Sequence, residues 1–285
     1  MQSPATSTTT ISGRFASDES PLWETDSPYP RERLISLFDL DVSDTTLEAA
    51  AFWLVRRANS AIPTRVSFLN ADCVNIMHRD VGYREALATS DRIYADGSGV
   101  RLAARMAGHE LLDNVNGTDL FPILCAEAAQ SGVGIYLFGA KPGRAAMSGR
   151  LMQQLHPALT ISGSHHGYID EAGEDRLIDE INASSAGIVL VALGAPRQEL
   201  WLRKHAGRLN APVVIGVGGL FDYYSGSIPR APLVLRRLGL EWTWRLAMEP
   251  RRLARRYIIG NAEFLLRVLA ERLRSKPSKP ADHFG

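Results

Sequence analysis

Short β-branched apolar runs recur through the middle of the chain. Each is followed by polar, glycine-bearing punctuation and then by a longer stretch with apolar residues at helical spacing. The strand-like runs are Arg65–Leu69, Arg92–Tyr94, Gly134–Phe138, Leu159–Ser162, Ile188–Leu193 and Val213–Val217. Helical patterns lie between them, over Ala71–Ser90, Gly99–Ala107, Leu120–Ala129, Gly143–Leu155, Glu174–Ala183 and Gln198–Arg208. Runs such as Ile188-Val189-Leu190-Val191 show no polar alternation, as expected of parallel strands covered on both faces. The rhythm predicts an α/β fold: a parallel, Rossmann-like sheet with helices on both faces. One more helix precedes the first of these strands. Thr45 and Glu48 have capping-box spacing there, and Leu47, Phe52, Leu54 and Val55 can face a core.

The rhythm stops after Asp222. Ile228-Pro229-Arg230-Ala231-Pro232 breaks the chain, and the rest reads as helix, with Leu253, Tyr257, Phe264, Leu265, Val268 and Leu269 at helical spacing. The expected organisation is a disordered Ser/Thr/Pro-rich tail over residues 1–30, an α/β domain over 31–229, a C-terminal helical appendage over 230–274 and a disordered tail over 275–285.

Charge sharpens that division. Residues 1–229 carry 19 Lys and Arg against 26 Asp and Glu, a net of −7, whereas residues 230–274 carry 11 Arg against 4 Glu, a net of +7. Guanidinium groups fork onto phosphate oxygens better than ammonium groups do. Arg237, Arg245, Arg251, Arg252 and Arg255, with Trp242 and Trp244 among them, are therefore candidates to meet a diphosphate and an anionic membrane surface. The plainer alternative is a helical cap with a solvated arginine face. No apolar run approaches the roughly 20 residues of a membrane-spanning helix, and the N-terminus lacks the apolar core of a secretory signal. Cys73 and Cys125 form no CxxC motif and suggest no disulfide framework. These features fit a cytoplasmic protein peripheral to the inner face of the cell membrane. No nucleic-acid partner is expected, and a homo-oligomer is left open.

Candidate chemistry clusters where strands end, because ligands in open α/β sheets bind beyond the carboxyl ends of the strands. Asp96 follows Asp91-Arg92-Ile93-Tyr94 and precedes Gly97-Ser98-Gly99, so its carboxylate is either a base pointing into such a crevice or a helix cap. Asn70 ends the first of these strands. Gly194-Ala195-Pro196-Arg197-Gln198-Glu199 and Gly216-Val217-Gly218-Gly219-Leu220-Phe221-Asp222 offer close backbone approach, with Gln198, Glu199 and Asp222 as polar contacts at the rim. Gly139-Ala140-Lys141-Pro142-Gly143 offers backbone N–H groups and the Lys141 ammonium to a diphosphate, without P-loop or dinucleotide-fingerprint spacing. Asp119 stands between a helix cap and a ligand contact. Adjacent His165 and His166 make a poor metal pair, Tyr168 beyond them can line a nucleotide pocket, and Asp39-Leu40-Asp41 lies too far upstream to hold a metal-bound diphosphate.

Together with Leu69-Asn70-Ala71-Asp72, Tyr94-Ala95-Asp96-Gly97-Ser98-Gly99, Asn116-Gly117-Thr118-Asp119 and Gly239-Leu240-Glu241-Trp242, these segments resemble the WecG/TagA/CpsF glycosyltransferases from about Leu34 to Arg274. The resemblance implies transfer of a sugar, with inversion, from a UDP-sugar to a polyprenyl-diphosphate-linked acceptor in surface or exopolysaccharide synthesis. It implies no cofactor and no metal, with leaving-group charge met by protein cations. It maps the family's proposed catalytic aspartate onto Asp96. Two departures bear on the donor sugar: Phe68 stands where the family motif has Thr, and Asn114 occupies the neighbourhood of a frequent Arg. The alternatives are a nucleotide-sugar epimerase or dehydrogenase, against which the missing dinucleotide fingerprint counts, and a non-catalytic UDP-sugar-binding membrane scaffold.

Overall fold

The computed structural model describes residues 27–274, so the tail expected over 275–285, and all but the last few residues of the tail expected over 1–30, lie outside the described residues. Eight strands form one sheet: β1 (Arg33–Leu37), β2 (Leu40–Asp44), β3 (Thr64–Leu69), β4 (Arg92–Ala95), β5 (Ile135–Gly139), β6 (Ile161–His165), β7 (Ile188–Ala192) and β8 (Val213–Gly216). Their order is β1-β2-β4-β3-β8-β7-β5-β6. Among the described residues β1 and β2 pair antiparallel and the other pairings are parallel.

Both faces of the sheet are buried, which explains the unbroken apolar strands. On β7, Ile188 and Leu190 point into one core with Leu54, Phe121 and Leu124, while Val189 and Val191 point into another with Trp201 and Leu202. Each such fully buried side chain contributes about 1.5–3 kcal/mol. The covering helices are α1 (Leu47–Asn59), α2 (Ala71–Met77), α3 (Val81–Ala88), α4 (Ser98–Met106), α5 (Gly117–Ser131), α6 (Arg144–Leu155), α7 (Glu171–Ala183), α8 (Arg197–His205) and α9 (Leu220–Tyr224). The C-terminal segment adds α10 (Leu233–Arg237), α11 (Glu241–Met248), α12 (Pro250–Ala254), a π turn over Arg255–Ile259, and α13 (Gly260–Arg274).

Three local expectations are corrected, and one hairpin was not expected. The stretch Ala71–Ser90 is two helices, because Asp80 accepts a hydrogen bond from the Tyr83 N–H and starts a new helix there. The cap of α1 is Thr46, whose hydroxyl accepts from Ala49 N–H, while Thr45 is buried. The strand expected at Leu159–Ser162 begins later, at Ile161, and runs to His165. The β1–β2 hairpin has no counterpart in the expected elements. Its two-residue turn uses Phe38 (φ 55°) and Asp39 (φ 57°), a left-handed pair usually supplied by Asn or Gly. Phe38 is held there by burial, its ring 5.9 Å from that of Phe264 on α13. Asp39 of the D-x-D string pairs with Arg84 at 2.9 Å, which accounts for it structurally.

Phe264 and Val268 are almost fully buried in the same core cluster as Leu69, Val74 and Val100. The last helix therefore packs into a core of the sheet domain.

Candidate active site

The sheet reverses its direction of growth between β3 and β8. From β3 the chain adds β4 on one side; the later strands β5, β6, β7 and β8 all lie on the other. At the carboxyl ends of β3, β4, β7 and β8 the structure holds a cavity of about 1120 Å³. That is the place where open α/β sheets take ligands, and the size suits a nucleotide-sized molecule with room for a second.

Asp96 stands in its wall. The Asp96 N–H donates to Leu69 O at 2.8 Å, carrying the β3–β4 pairing one step past the strand end. The helix-cap alternative fails, because α4 is capped by Gly97 without a side-chain hydrogen bond. Gly97 has φ 91° and donates its N–H to Asn114 Oδ1 at 2.6 Å. Asn70 braces the other side: Oδ1 accepts from the N–H groups of Asp72 and Cys73, and Nδ2 donates to Asp96 Oδ2 at 3.2 Å. Burial pushes the Asp96 carboxyl above the ordinary carboxylate range, Asn70 opposes the shift, Glu241 adds to it, and Arg256 and Arg245 oppose it. A carboxylate destabilised in this way is a better proton acceptor than one in water.

The remaining expected donor-site residues fall into distinct places. Asn70, Asn114, Lys141, Tyr168, Gln198 and Asp222 all line the cavity. Tyr168 is largely exposed at its edge. Gly139 sits one residue below the wall, with φ 129°; a Cβ there would meet Ala192 O at 2.4 Å, so its glycine serves strand packing. Asp222 is ion-paired with Arg144 at the start of α6, which sequence reading passed over. Gln198 was expected at the rim, but it is buried beneath the loops. Its Oε1 accepts from Gly194 N–H at 3.1 Å and Gly218 N–H at 2.9 Å. Glu199, also expected at the rim, is 1% exposed. Asp119 does not line the cavity: its carboxylate takes Arg230 and Arg236, each at 2.8 Å, and holds the C-terminal segment to α5.

The arginines of the C-terminal segment divide into those that line the cavity and those that do not. Of the five expected, Arg245 and Arg252 line the cavity, whereas Arg237, Arg251 and Arg255 do not. Arg236 and Arg256 line it and were missed. Arg245 lies on α11, Glu249 at the break after it, Arg252 on α12 and Arg256 in the π turn, and all four line the cavity although no single helix carries them. Arg245 lies over the Tyr223 ring at 5.2 Å, and Arg256 Nε is 3.0 Å from Asp72. Trp242 lines the cavity and packs on Tyr257, while Trp244 Nε1 donates to Pro229 O. Phe68 is buried and lines the cavity.

The chain matches the family described as "Glycosyl transferase WecG/TagA/CpsF family" over residues 35–278. It belongs to that family. A relative from Bacillus spizizenii (strain ATCC 23059 / NRRL B-14472 / W23), named N-acetylglucosaminyldiphosphoundecaprenol N-acetyl-beta-D-mannosaminyltransferase, is 34% identical over 196 residues, covering 68% of this chain and 75% of the relative. The protein is thus a glycosyltransferase, and the cavity at the strand ends is where its fold offers a site.

Asp96→Asn keeps the hydrogen-bonding shape but cannot take a proton. Turnover should fall by at least about two orders of magnitude, as for loss of a general base, with affinity for UDP little changed. To serve as a base in the parent protein, Asp96 would have to be ionised. Because its pKa in the folded protein is raised, activity is present above that pKa and lost as pH falls through it. The acid limb of kcat/KM should therefore lie above the usual aspartate value of about 3.9. A limb at or below that value, or near-normal turnover in folded Asp96→Asn, would remove Asp96 from the role.

Proposed function

We propose that this glycosyltransferase moves a sugar from a UDP-sugar to a hydroxyl of a polyprenyl-diphosphate-linked glycan, with inversion and without a metal ion. The observation that carries the reading is one cavity with a braced, uncapped carboxylate on its β4 side and an arginine face closing it from the C-terminal segment. In the proposed step Asp96 takes the acceptor hydroxyl proton as the acceptor oxygen forms its bond to the anomeric carbon. The bond from that carbon to the diphosphate oxygen breaks, and UDP leaves with both electrons of that bond. Lys141, in the loop before α6, and Arg144, its first residue, would meet the donor diphosphate; Arg245, Arg252 and Arg256 would offer cations to the charge that develops or to the acceptor's own diphosphate. Such charges act most strongly where water is excluded. Among the described residues no group of three or more His, Cys, Asp or Glu side chains could hold a metal.

A surface position at the membrane fits the same segment. Among the described residues no helix is long and apolar enough to cross a bilayer. Leu233, Val234, Leu238, Ile258 and Leu266 are all more than 60% exposed on the elements that bear the arginines. Apolar side chains that enter the headgroup layer and cations that meet anionic lipid are what an interfacial segment needs.

Two measurements test this. A panel of UDP-sugars with a short-chain lipid-diphosphate acceptor should give UDP release in the presence of EDTA. Activity that vanishes on chelation and returns with magnesium would contradict the metal-free reading. The intact protein should also sediment with anionic vesicles at low salt and be released near 1 M salt, where the Debye length has fallen from about 10 Å to about 3 Å. Ile258→Glu with Leu266→Glu should weaken that binding while sparing turnover on a soluble acceptor. Unchanged vesicle binding would leave these residues as ordinary surface. Truncation near Pro229 is the poorer test, since it would uncover the core that Phe264 and Val268 fill.

A further inference from the structure

The reaction proposed above does not use Glu199, although this carboxyl lies directly beneath the cavity floor. It follows Gln198 at the start of α8 and is 1% exposed. Its Oε1 accepts from Gln198 Nε2 at 2.7 Å, while its Oε2 is buried with no hydrogen-bond partner. Buried Cys73 on α2 and Tyr83 on α3 face the same region. Burial pushes the Glu199 carboxyl up to about 7, against the hydrogen bonds from Gln198 and from its own backbone N–H. An unneeded buried carboxyl would be a net cost to folding, so its contact with Gln198 points to a purpose.

The purpose follows from the shape of a carboxamide. One end accepts hydrogen bonds and the other donates, and the two ends are nearly the same size. The Gly194 loop after β7 and the Gly218 loop after β8 both present N–H donors to Gln198. Only the oxygen end can serve them. Turned over, the carboxamide would set its NH₂ against two N–H groups and lose both bonds. Glu199 Oε1 takes the NH₂ and so excludes the turned orientation. Gly216 makes room for this arrangement, since a Cβ there would lie 3.0 Å from Gln198 Nε2. Gly194 (φ 77°) and Gly218 (φ 58°) are in left-handed conformations, so these loops depend on outside contacts to stay fixed.

We propose that Glu199 is a positioning residue for sugar transfer. By locking the Gln198 carboxamide in one orientation, it fixes the two glycine loops that wall the cavity between the β7 and β8 ends. The inference rests on the proposed reading that this cavity takes the nucleotide sugar.

The test compares Glu199→Leu, which has no acceptor, with Glu199→Gln, which keeps one, in the full chain. Amide hydrogen exchange over segments 193–199 and 216–220 is read without substrate. Glu199→Leu should speed exchange at Gly194 and Gly218 by about tenfold or more, as expected when a local brace is lost, while Glu199→Gln stays near the parent. With donor present, Glu199→Leu should raise the donor KM and weaken UDP binding by about tenfold, with kcat changed less than about threefold, and Glu199→Gln should restore both. In a Gln198→Ala background, adding Glu199→Leu should change nothing further, because the two act through one link. Unchanged exchange in Glu199→Leu, or additive effects in the double variant, would overturn the proposal. If Glu199→Leu does not fold, Gln198→Ala carries the exchange measurement, and unchanged exchange at Gly194 and Gly218 there overturns it equally. A parent protein that releases no UDP from any UDP-sugar would count against the proposed reaction, while the exchange measurement would still decide the brace.

Discussion

The parallel pairing of β3 with β4 on one side and β8 on the other is the constraint from which the rest follows. It aligns Asn70, Asp96 and Gly216 at one edge of the sheet, and the Asp96 N–H to Leu69 O bond extends that alignment past the last strand residue. A carboxylate fixed this way needs little reordering to act. Its raised pKa comes chiefly from the same burial that the packed sheet imposes. Position and basicity thus share one cause, and the hydrogen bonds from Asn70 and to Asn114 only refine it.

The second half of the site comes from residues far away in sequence. Arg230 and Arg236 anchor the C-terminal segment to Asp119, Ser98 Oγ donates to Gly239 O, and Asn75 Nδ2 donates to Gly260 O. These contacts, with Phe264 and Val268 in the core, hold Arg245, Arg252 and Arg256 over the sheet edge. Several of the arginines already have acidic partners: Glu249 serves Arg252 and Asp72 serves Arg256. Arg252 is exposed in its pair with Glu249, a pairing that contributes only about 0–1 kcal/mol and leaves that cation open to a proposed diphosphate, whereas the Arg256–Asp72 pair is half-buried.

The sheet was legible because buried parallel strands leave continuous apolar runs, and Asp96 and Asn70 were legible because each directly follows such a run. The β1–β2 hairpin was not, since its turn is made by Phe38 and Asp39, residues whose left-handed conformation is supported by tertiary contacts and not by local preference. Gln198 was placed at the site and does line the cavity, but buried and not at the rim: sequence shows that a carboxamide follows a strand, not that two backbone N–H groups will claim it. The arginine-rich end was legible as charge. That Arg236 and Arg256 line the cavity while Arg237, Arg251 and Arg255 do not depends on how several short helices turn at their junctions, which no single period along the chain reports. The ion pair of Arg144 with Asp222 joins residues on separate helices, and no local pattern announces it.

The proposed transfer is a single displacement, with Asp96 as the base and protein cations meeting the leaving group. The anomeric configuration of the product, read by proton NMR against that of the UDP-sugar consumed, tests it most directly. Attack activated by Asp96 from the face opposite the departing diphosphate gives an inverted configuration. A retained configuration would require a different arrangement of nucleophile and leaving group, and would contradict the account.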